Sequence, residues 1–130
     1  MEKDIISTVK APSAIGPYSQ GVRVNGFIFF SGQIPIDPAT GEIVKGEISI
    51  QAEQVMQNIA ALLEVSGIGF DNVVKSTIYL TNLADFGVVN DIYGRRFTSA
   101  YPARSTVQVS ALPKGVDIEI EVVAVSRQAK

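Results

Sequence analysis

The sequence predicts an α+β sandwich in which two helices cover one face of a mixed β-sheet. Three observations carry this prediction. Two segments place apolar residues at helical spacing, two late segments alternate apolar and polar residues, and the elements run from a β-rich first half through helix, strand, helix, strand and strand. The 130 residues contain no internal repeat and no linker-like tract, so we expect a single domain over residues 1–130.

The first half of the chain carries a hairpin signal and a long helix. Val22 to Phe30 holds two short β-type runs around Asn25-Gly26, a dipeptide typical of two-residue hairpin turns. Ser49 to Ser66 is predicted to be helical, with Ser49 as its N-cap and Gly67 in the left-handed position that ends it. The predicted buried stripe of this helix comprises Ala52, Val55, Met56, Ile59, Leu62 and Leu63. Its predicted polar side comprises Gln51, Gln54, Gln57, Asn58 and Glu64.

The next two elements are a strand and a second helix. Val73 to Leu80 alternates apolar and polar residues as a strand does. Asn82 is placed to cap the following helix, which should fade near Ser99 because Tyr101-Pro102 disfavours helical backbone. The apolar stripe of this second helix comprises Phe86, Val89, Tyr93 and Phe97.

Two strands close the chain, Arg104 to Ser110 and Val116 to Val125. Only five residues separate them, which favours a β-hairpin. Alternation gives the second strand one fully apolar face. If the apolar faces of both strands align, Arg104 and Glu119 lie together on the other side of the sheet.

That other side of the predicted sheet is polar at one end and apolar at the other. The helices need the Val/Ile face, so Val123 and Val125 would stay exposed unless another copy of the chain covers them. We therefore expect a homo-oligomer with its sheets facing one another and a cleft near Arg104 and Glu119. These two residues are either a sheet-surface ion pair, or a site in which Arg104 clamps a carboxylate and Glu119 positions or deprotonates a water.

Asn90 has two interpretations as well. Its position falls within the apolar stripe of the second helix and not on the polar side. A polar amide in that place either hydrogen-bonds to backbone or belongs to a binding site.

Composition limits the available chemistry. The chain has no His, Cys or Trp, which excludes Ser-His-Asp and Cys-His mechanisms and thiolate metal sites. Hydrophobic residues make up 46%, enough for a core, and eleven cations against thirteen anions give a net charge of −2. That balance disfavours nucleic acid as a partner. The sequence shows no signal peptide and no apolar run long enough to span a membrane, so we expect a cytoplasmic protein.

Short motifs spread over nearly the whole chain occur in the order and spacing of one protein family. They are A-P at residues 11–12, I-G-P-Y-S-Q at 15–20, S-G-Q-I-P at 31–35, L-A-D-F at 83–86 with V-N at 89–90, P-A-R-S-T-V at 102–107, L-P-K at 112–114 and I-E-I at 118–120. Together they resemble the signature of the RidA/YjgF family, the reactive-intermediate (enamine/imine) deaminases.

The resemblance implies a chorismate-mutase-like fold, a homotrimer with a site at each subunit interface, and no cofactor or metal. It also implies hydrolysis of 2-imino acids, such as 2-iminobutanoate and 2-iminopropanoate, to 2-keto acids and ammonia. Pyridoxal-phosphate-dependent dehydratases acting on threonine or serine release these imines. By resemblance, Arg104 binds the substrate carboxylate and Glu119 orients the attacking water. The other residues implied to line the pocket are Tyr18, Ser31, Gly32, Asn90 and Thr106. Many relatives have Cys where this chain has Thr106.

Two other functions compete with imine hydrolysis. A non-catalytic module of the same fold would use Arg104 to sense small carboxylates. RNA cleavage or inhibition of translation, proposed for some relatives, is disfavoured by the net charge of −2 and by the absence of His.

Overall fold

The computed structural model describes residues 2–126, which contain six strands and two α-helices. The strands are β1 (Asp4–Ile6), β2 (Gly21–Val24), β3 (Phe27–Phe30), β4 (Val73–Leu80), β5 (Ala103–Gln108) and β6 (Ile118–Val125). The helices are α1 (Ile48–Val65) and α2 (Phe86–Gly94). One sheet forms in the order β1-β2-β3-β6-β4-β5, with β5 parallel to β4 and the other neighbours antiparallel.

The two helices pack on the same face of this sheet, as the sequence predicts. Their buried side chains share one core with alternate residues of the central strands β4 and β6. Ile78, Ile118 and Ile120 are fully buried there, and each such side chain contributes roughly 1.5–3 kcal/mol through removal from water. All six residues of the predicted α1 stripe are buried.

The hairpin predicted between Val22 and Phe30 is confirmed. β2 and β3 pair antiparallel with Val24 opposite Phe27. Asn25 and Gly26 both have positive φ, 51° and 81°, the conformation of a two-residue hairpin turn.

The ends of α1 are partly as predicted. Gly67 adopts the left-handed conformation, with φ of 78°. The predicted Ser49 cap is wrong, because α1 begins at Ile48 and Glu47 is its N-cap residue, without a side-chain hydrogen bond. Two residues of the predicted polar side, Gln51 and Asn58, are buried. Each of them satisfies its amide with hydrogen bonds to neighbouring loops.

The second helix is shorter than predicted. The Asn82 side chain accepts a hydrogen bond of 2.9 Å from the Ala84 amide, but it caps a 3-10 turn over Leu83–Asp85 that precedes α2. The helix then ends at Gly94 instead of near Ser99. Phe97 remains buried beyond the helix end and packs against Tyr93, with ring centroids 4.8 Å apart.

The predicted hairpin between the last two strands is wrong. β4, α2 and β5 form a strand–helix–strand unit whose two strands are parallel neighbours, and β6 inserts between β3 and β4. The short connection after β5 passes the end of β4, where the Val109 amide bonds to the Leu80 carbonyl and the Thr81 amide to the Asp117 carbonyl. β6 takes a central position, where its fully apolar face is buried in the core beneath the helices.

This topology also overturns the prediction that Arg104 and Glu119 share a face. Arg104 lies beside Ser76, which is fully buried under the helices. Glu119 lies beside Tyr79 on the opposite face of β4. Directly paired residues point to the same side of a sheet, so the sheet separates the two side chains.

The face without helices has an apolar part, as predicted. Phe27, Phe29 and Val107 are 46%, 49% and 41% exposed on this face, and Val123 and Val125 are half-buried. Within residues 2–126, neither helix combines the length and the apolar character needed to cross a bilayer.

Candidate active site

Glu119 lies at a cavity of about 470 Å³ formed by three loops around one end of the sheet. Residues 12–20 form one wall, residues 31–36 a second, and the turn at Pro113-Lys114 a third. The lining combines apolar side chains with a few polar groups, which is the usual character of a small-molecule site. Of the predicted site residues, the lining includes Tyr18, Ser31, Gly32 and Glu119.

Gly32 and the Glu119 carboxylate are in close contact. Beyond β3 the ladder to β6 resumes only at the pair Gln33 and Ile120, with one extra residue on the β3 side. This bulge lifts Gly32 out of the ladder. A Cβ atom on Gly32 would lie 2.9 Å from the carboxyl carbon of Glu119 and closer still to one carboxyl oxygen. Glycine is therefore required if Glu119 is to keep its position.

The Glu119 carboxyl is held in an unfavourable environment for its charge. Burial raises its pKa above the ordinary value of 4.5, and the nearby Glu121 carboxylate raises it further. No side chain or amide among residues 2–126 donates a hydrogen bond to it. A half-buried carboxylate with a raised pKa and free lone pairs is suited to accept a proton from water near neutral pH.

The other predicted residues of this cavity differ in what they offer a ligand. Tyr18 is 53% exposed, and its hydroxyl oxygen lies 3.4 Å from the Ile15 amide. The Ser31 hydroxyl donates a 2.6 Å hydrogen bond to the Ser19 carbonyl, so its proton is already used within the protein. The Gly32 amide makes no hydrogen bond to another residue between 2 and 126, and remains available as a donor.

Arg104 lies at a second, separate cavity of about 420 Å³ on the helix side of the sheet. Its Nη1 atom donates a 2.8 Å hydrogen bond to the Asn90 Oδ1 atom. Its guanidinium carbon is 5.3 Å from the Phe86 ring centroid and 5.2 Å from that of Tyr93. These contacts orient the guanidinium, while its other N–H groups have no partner among the described residues and can bind an anion bidentately.

The contact to Arg104 bears on the two interpretations of Asn90, of which the role in a binding site stays a prediction. The amide oxygen does not bond to backbone, as one of them required, but holds the guanidinium. Phe86 and Tyr93, predicted only as core residues, also form the surroundings of Arg104. Burial raises the pKa of Tyr93, which keeps this ring neutral beside the cation.

Thr106 follows Arg104 on the same face of β5. Its hydroxyl oxygen is buried and finds no hydrogen-bond partner among residues 2–126. Unsatisfied buried hydroxyls are uncommon in proteins.

The predicted site residues therefore form two groups within one chain. Glu119, Gly32, Ser31 and Tyr18 surround the larger cavity. Arg104, Asn90 and Thr106 lie on the other face, with Tyr101 and Pro102 completing the second cavity. Gln20, Gln33 and Lys114 also line the larger cavity, although the motifs gave them no role. No three acidic side chains among residues 2–126 converge as a metal site would require.

The fold is that of a small α+β protein with one helix-covered sheet and two separate cavities, one at Glu119 and one at Arg104. Residues 8–126 match the family model described as Endoribonuclease L-PSP. The chain belongs to this family, the RidA/YjgF family indicated by the sequence motifs.

Named relatives agree with this assignment. "Protein DfrA" from Myxococcus xanthus is 56% identical over 97% of this chain and 98% of its own length. A Bos taurus protein named 2-iminobutanoate/2-iminopropanoate deaminase is 50% identical over 95% of this chain and 90% of its own length. A crystal structure of a Yersinia pestis protein of the conserved Rid family superimposes with a TM-score of 0.94 at 52% identity, covering 95% of this chain and 99% of the other.

Proposed function

We propose that this chain hydrolyses 2-imino acids, such as 2-iminobutanoate and 2-iminopropanoate, at a site completed between two copies of the chain. The observation that carries the proposal is the division of the site. The Arg104 guanidinium, which Asn90 orients, and the Glu119 carboxylate, whose pKa is raised, lie on opposite faces of one sheet. A relative about half identical to this chain is named as a deaminase of these two substrates.

Arg104 and Glu119 of one copy cannot both contact one small substrate. β4 separates β5, which carries Arg104, from β6, which carries Glu119. Adjacent strands lie about 4.8 Å apart, so the two backbones are about 10 Å apart before the opposite directions of the side chains are counted. An imino acid of three or four carbons is shorter than this. If a neighbouring copy places its Arg104 at the Glu119 cavity, both groups can contact the same substrate.

The exposed apolar part of the sheet face favours association of copies. Phe27, Phe29 and Val107 are each more than 40% exposed on the face that also carries Glu119. Covering such a patch removes apolar area from water and stabilises an oligomer. We propose a homotrimer, the assembly that the family resemblance implies, as a closed ring in which every interface contains one complete site.

Arg104 binds the substrate carboxylate in this proposal. Asn90 and the two flanking rings fix the direction of the guanidinium before substrate arrives. Its free N–H groups form a bidentate pair with the carboxylate, which orients C2 of the substrate. The Gly32 amide, which has no partner among the described residues, is an additional donor for the bound substrate.

Glu119 carries the proton transfers. Its carboxylate takes a proton from water while the water oxygen bonds to C2 of the protonated imine. The product is a carbinolamine that carries both hydroxyl and amino groups on C2. Glu119 then returns the proton to the amino nitrogen, and the C–N bond breaks as ammonia leaves. The hydroxyl proton passes to the Glu119 carboxylate and from there to the departing ammonia, which gives the 2-keto acid, an ammonium ion and the regenerated carboxylate. Because an imine is already electrophilic, one positioned base is sufficient.

The test is a coupled assay in which a pyridoxal-phosphate-dependent threonine dehydratase releases the imine. We expect wild-type protein to accelerate formation of 2-oxobutanoate, and Arg104→Ala to abolish the acceleration. Arg95→Ala is the matched control, since Arg95 is an exposed arginine at the end of α2, away from both cavities that hold the proposed residues. Absence of acceleration by wild-type protein would refute the proposal.

The same assay separates hydrolysis from carboxylate sensing. A sensing module would show no turnover in its wild-type form. Its Glu119→Gln variant would still be stabilised thermally by 2-oxobutanoate. A hydrolase with this substitution keeps the thermal stabilisation but loses the rate.

A further inference from the structure

We propose that Gln20 is a positioning residue that holds one wall of the Glu119 cavity in its binding conformation. This inference rests on the proposed function, since it concerns substrate binding at that site. The wall belongs to residues 8–19, named here the strap, which lie between β1 and β2 and contain no helix or strand. Pro12, Ser13, Ile15 and Tyr18 of the strap line the cavity.

The Gln20 amide makes four hydrogen bonds to the strap. Its Oε1 atom accepts one of 2.7 Å from the Thr8 amide. The two N–H groups of its Nε2 atom are shared among the carbonyls of Thr8 (3.0 Å), Ala11 (3.2 Å) and Pro12 (2.7 Å), so one N–H is bifurcated. Gln20 is 5% exposed, so water does not compete for these groups. One side chain thereby satisfies the backbone of a segment that has no ladder or helix to do so.

Few other interactions hold the strap. Val9, Ile15 and Tyr18 are 89%, 80% and 53% exposed, and only Ala11 is buried in the core. The ion pair between Lys10 and Glu64 joins two side chains that are each 73% exposed, and such pairs contribute little. The Ser31 hydroxyl fixes the far end of the strap through the Ser19 carbonyl. Gln20 is thus the main tether of residues 8–12, where the strap enters the cavity wall at Pro12.

A strap that is not held in place would weaken substrate binding more than it would slow the chemical step. Arg104 and Glu119 lie outside the strap, and their contacts do not involve it. Without the tether, the strap must be ordered at each binding event, which lowers the affinity. We expect KM to rise and kcat to change little.

Gln51 provides a matched control. It is 6% exposed, and its amide bonds to the Gly46 carbonyl, to an Asp117 carboxyl oxygen and to the Asp117 amide. Gln51 thus resembles Gln20 in chemistry and burial, but it does not line the cavity. Gln→Met substitutions at the two positions keep side-chain length and remove the hydrogen bonds.

The experiment compares Gln20→Met and Gln51→Met in the full chain. We expect Gln20→Met to raise KM about tenfold, because ordering even one backbone residue on binding carries a cost of this size. The kcat of this variant should stay within about twofold of wild type, and Gln51→Met should change neither constant by more than about twofold. Equal KM values for the two variants would overturn the inference.

A second measurement needs no variant. In wild-type protein the Thr8 amide, bonded to Gln20, should exchange its hydrogen much more slowly than the amides of residues 13, 14 and 16, which make no hydrogen bond within residues 2–126. Exchange of Thr8 as fast as these would show that the tether does not hold and would also overturn the inference. A wild-type protein without turnover would instead refute the proposed function, so the two failures are distinguishable.

Discussion

Replacing Gly32 with alanine tests whether the rate depends on where the Glu119 carboxylate lies. The new methyl carbon would be 2.9 Å from the Glu119 carboxyl carbon and 3.2 Å from Cγ, whereas such carbons rest about 3.5–4.0 Å apart. The carboxylate must therefore move by about 1 Å, a displacement that can cost on the order of 100-fold in rate. We expect kcat/KM of Gly32→Ala to fall by about that factor.

The stability of Gly32→Ala should change little. Gly32 has no positive φ that alanine would resist, and the group that must yield is the end of a flexible, half-buried side chain. We expect the free energy of unfolding in urea to fall by less than about 1 kcal/mol. Gly69→Ala is the control, since nothing lies within 4 Å of a Cβ at that position. The dehydratase-coupled assay measures the rate, and a Gly32→Ala protein as active as Gly69→Ala would refute the reasoning.

Four further predictions follow from the charges and the backbone of the site. Arg104→Lys keeps the charge but loses bidentate binding, so kcat/KM should fall about 100-fold, and a value near wild type would contradict the clamp. Glu121→Gln removes a charge that raises the pKa of Glu119, so the acidic limb of the pH–rate profile should move to lower pH, and an unmoved limb would exclude this coupling. The raised pKa also means that ionisation of Glu119 opposes folding: its contribution to stability is full below pH 4.5 and is lost as pH rises through the higher folded value. Glu119→Gln should therefore unfold at higher urea concentration than wild type at pH 7 and lose this advantage below about pH 4; a pH-independent difference would contradict it. Lys114 has a φ of 59°, so Lys114→Asn should raise the free energy of unfolding in urea by about 0.5 kcal/mol, and a decrease would show that Lys114 makes compensating contacts.

The elements that local pattern determines were predictable from the sequence. The apolar stripe of α1, the alternation of β4 and the turn at Asn25-Gly26 depend on spacing and on backbone preference within a few residues. The two helices on one face followed from the same patterns. β1 was missed because three residues at a sheet edge, with only Ile6 buried, give too little alternation to detect.

Strand order was not predictable from spacing between neighbouring strands. The short connection after β5 favours a hairpin by itself, but pairing depends on which strand can lie between two others. β6 has a wholly apolar face and takes the central place. In residues 103–110, which contain β5, only Thr106 and Val109 are partly buried, and β5 takes the edge. The strand–helix–strand order of β4, α2 and β5 was the overlooked signal, since it is the usual source of parallel neighbours.

The motifs indicated candidate site residues but not their arrangement. They could not indicate that Asn90 holds Arg104, because that contact depends on α2 crossing β5. They also gave no role to Gln20, whose hydrogen bonds are all to backbone. The role of a side chain that hydrogen-bonds only to backbone can be recognised only when the fold is known.

The sharing of one site between two copies is tested most directly by mixing two inactive proteins. Arg104→Ala and Glu119→Gln chains, unfolded together in equal amounts and refolded, should regain about one quarter of wild-type activity, because one interface in four pairs an intact Arg104 with an intact Glu119 from its neighbour. Each variant refolded alone should stay inactive. If the mixture shows no more activity than the separate variants, both groups act within one chain and the shared site is wrong.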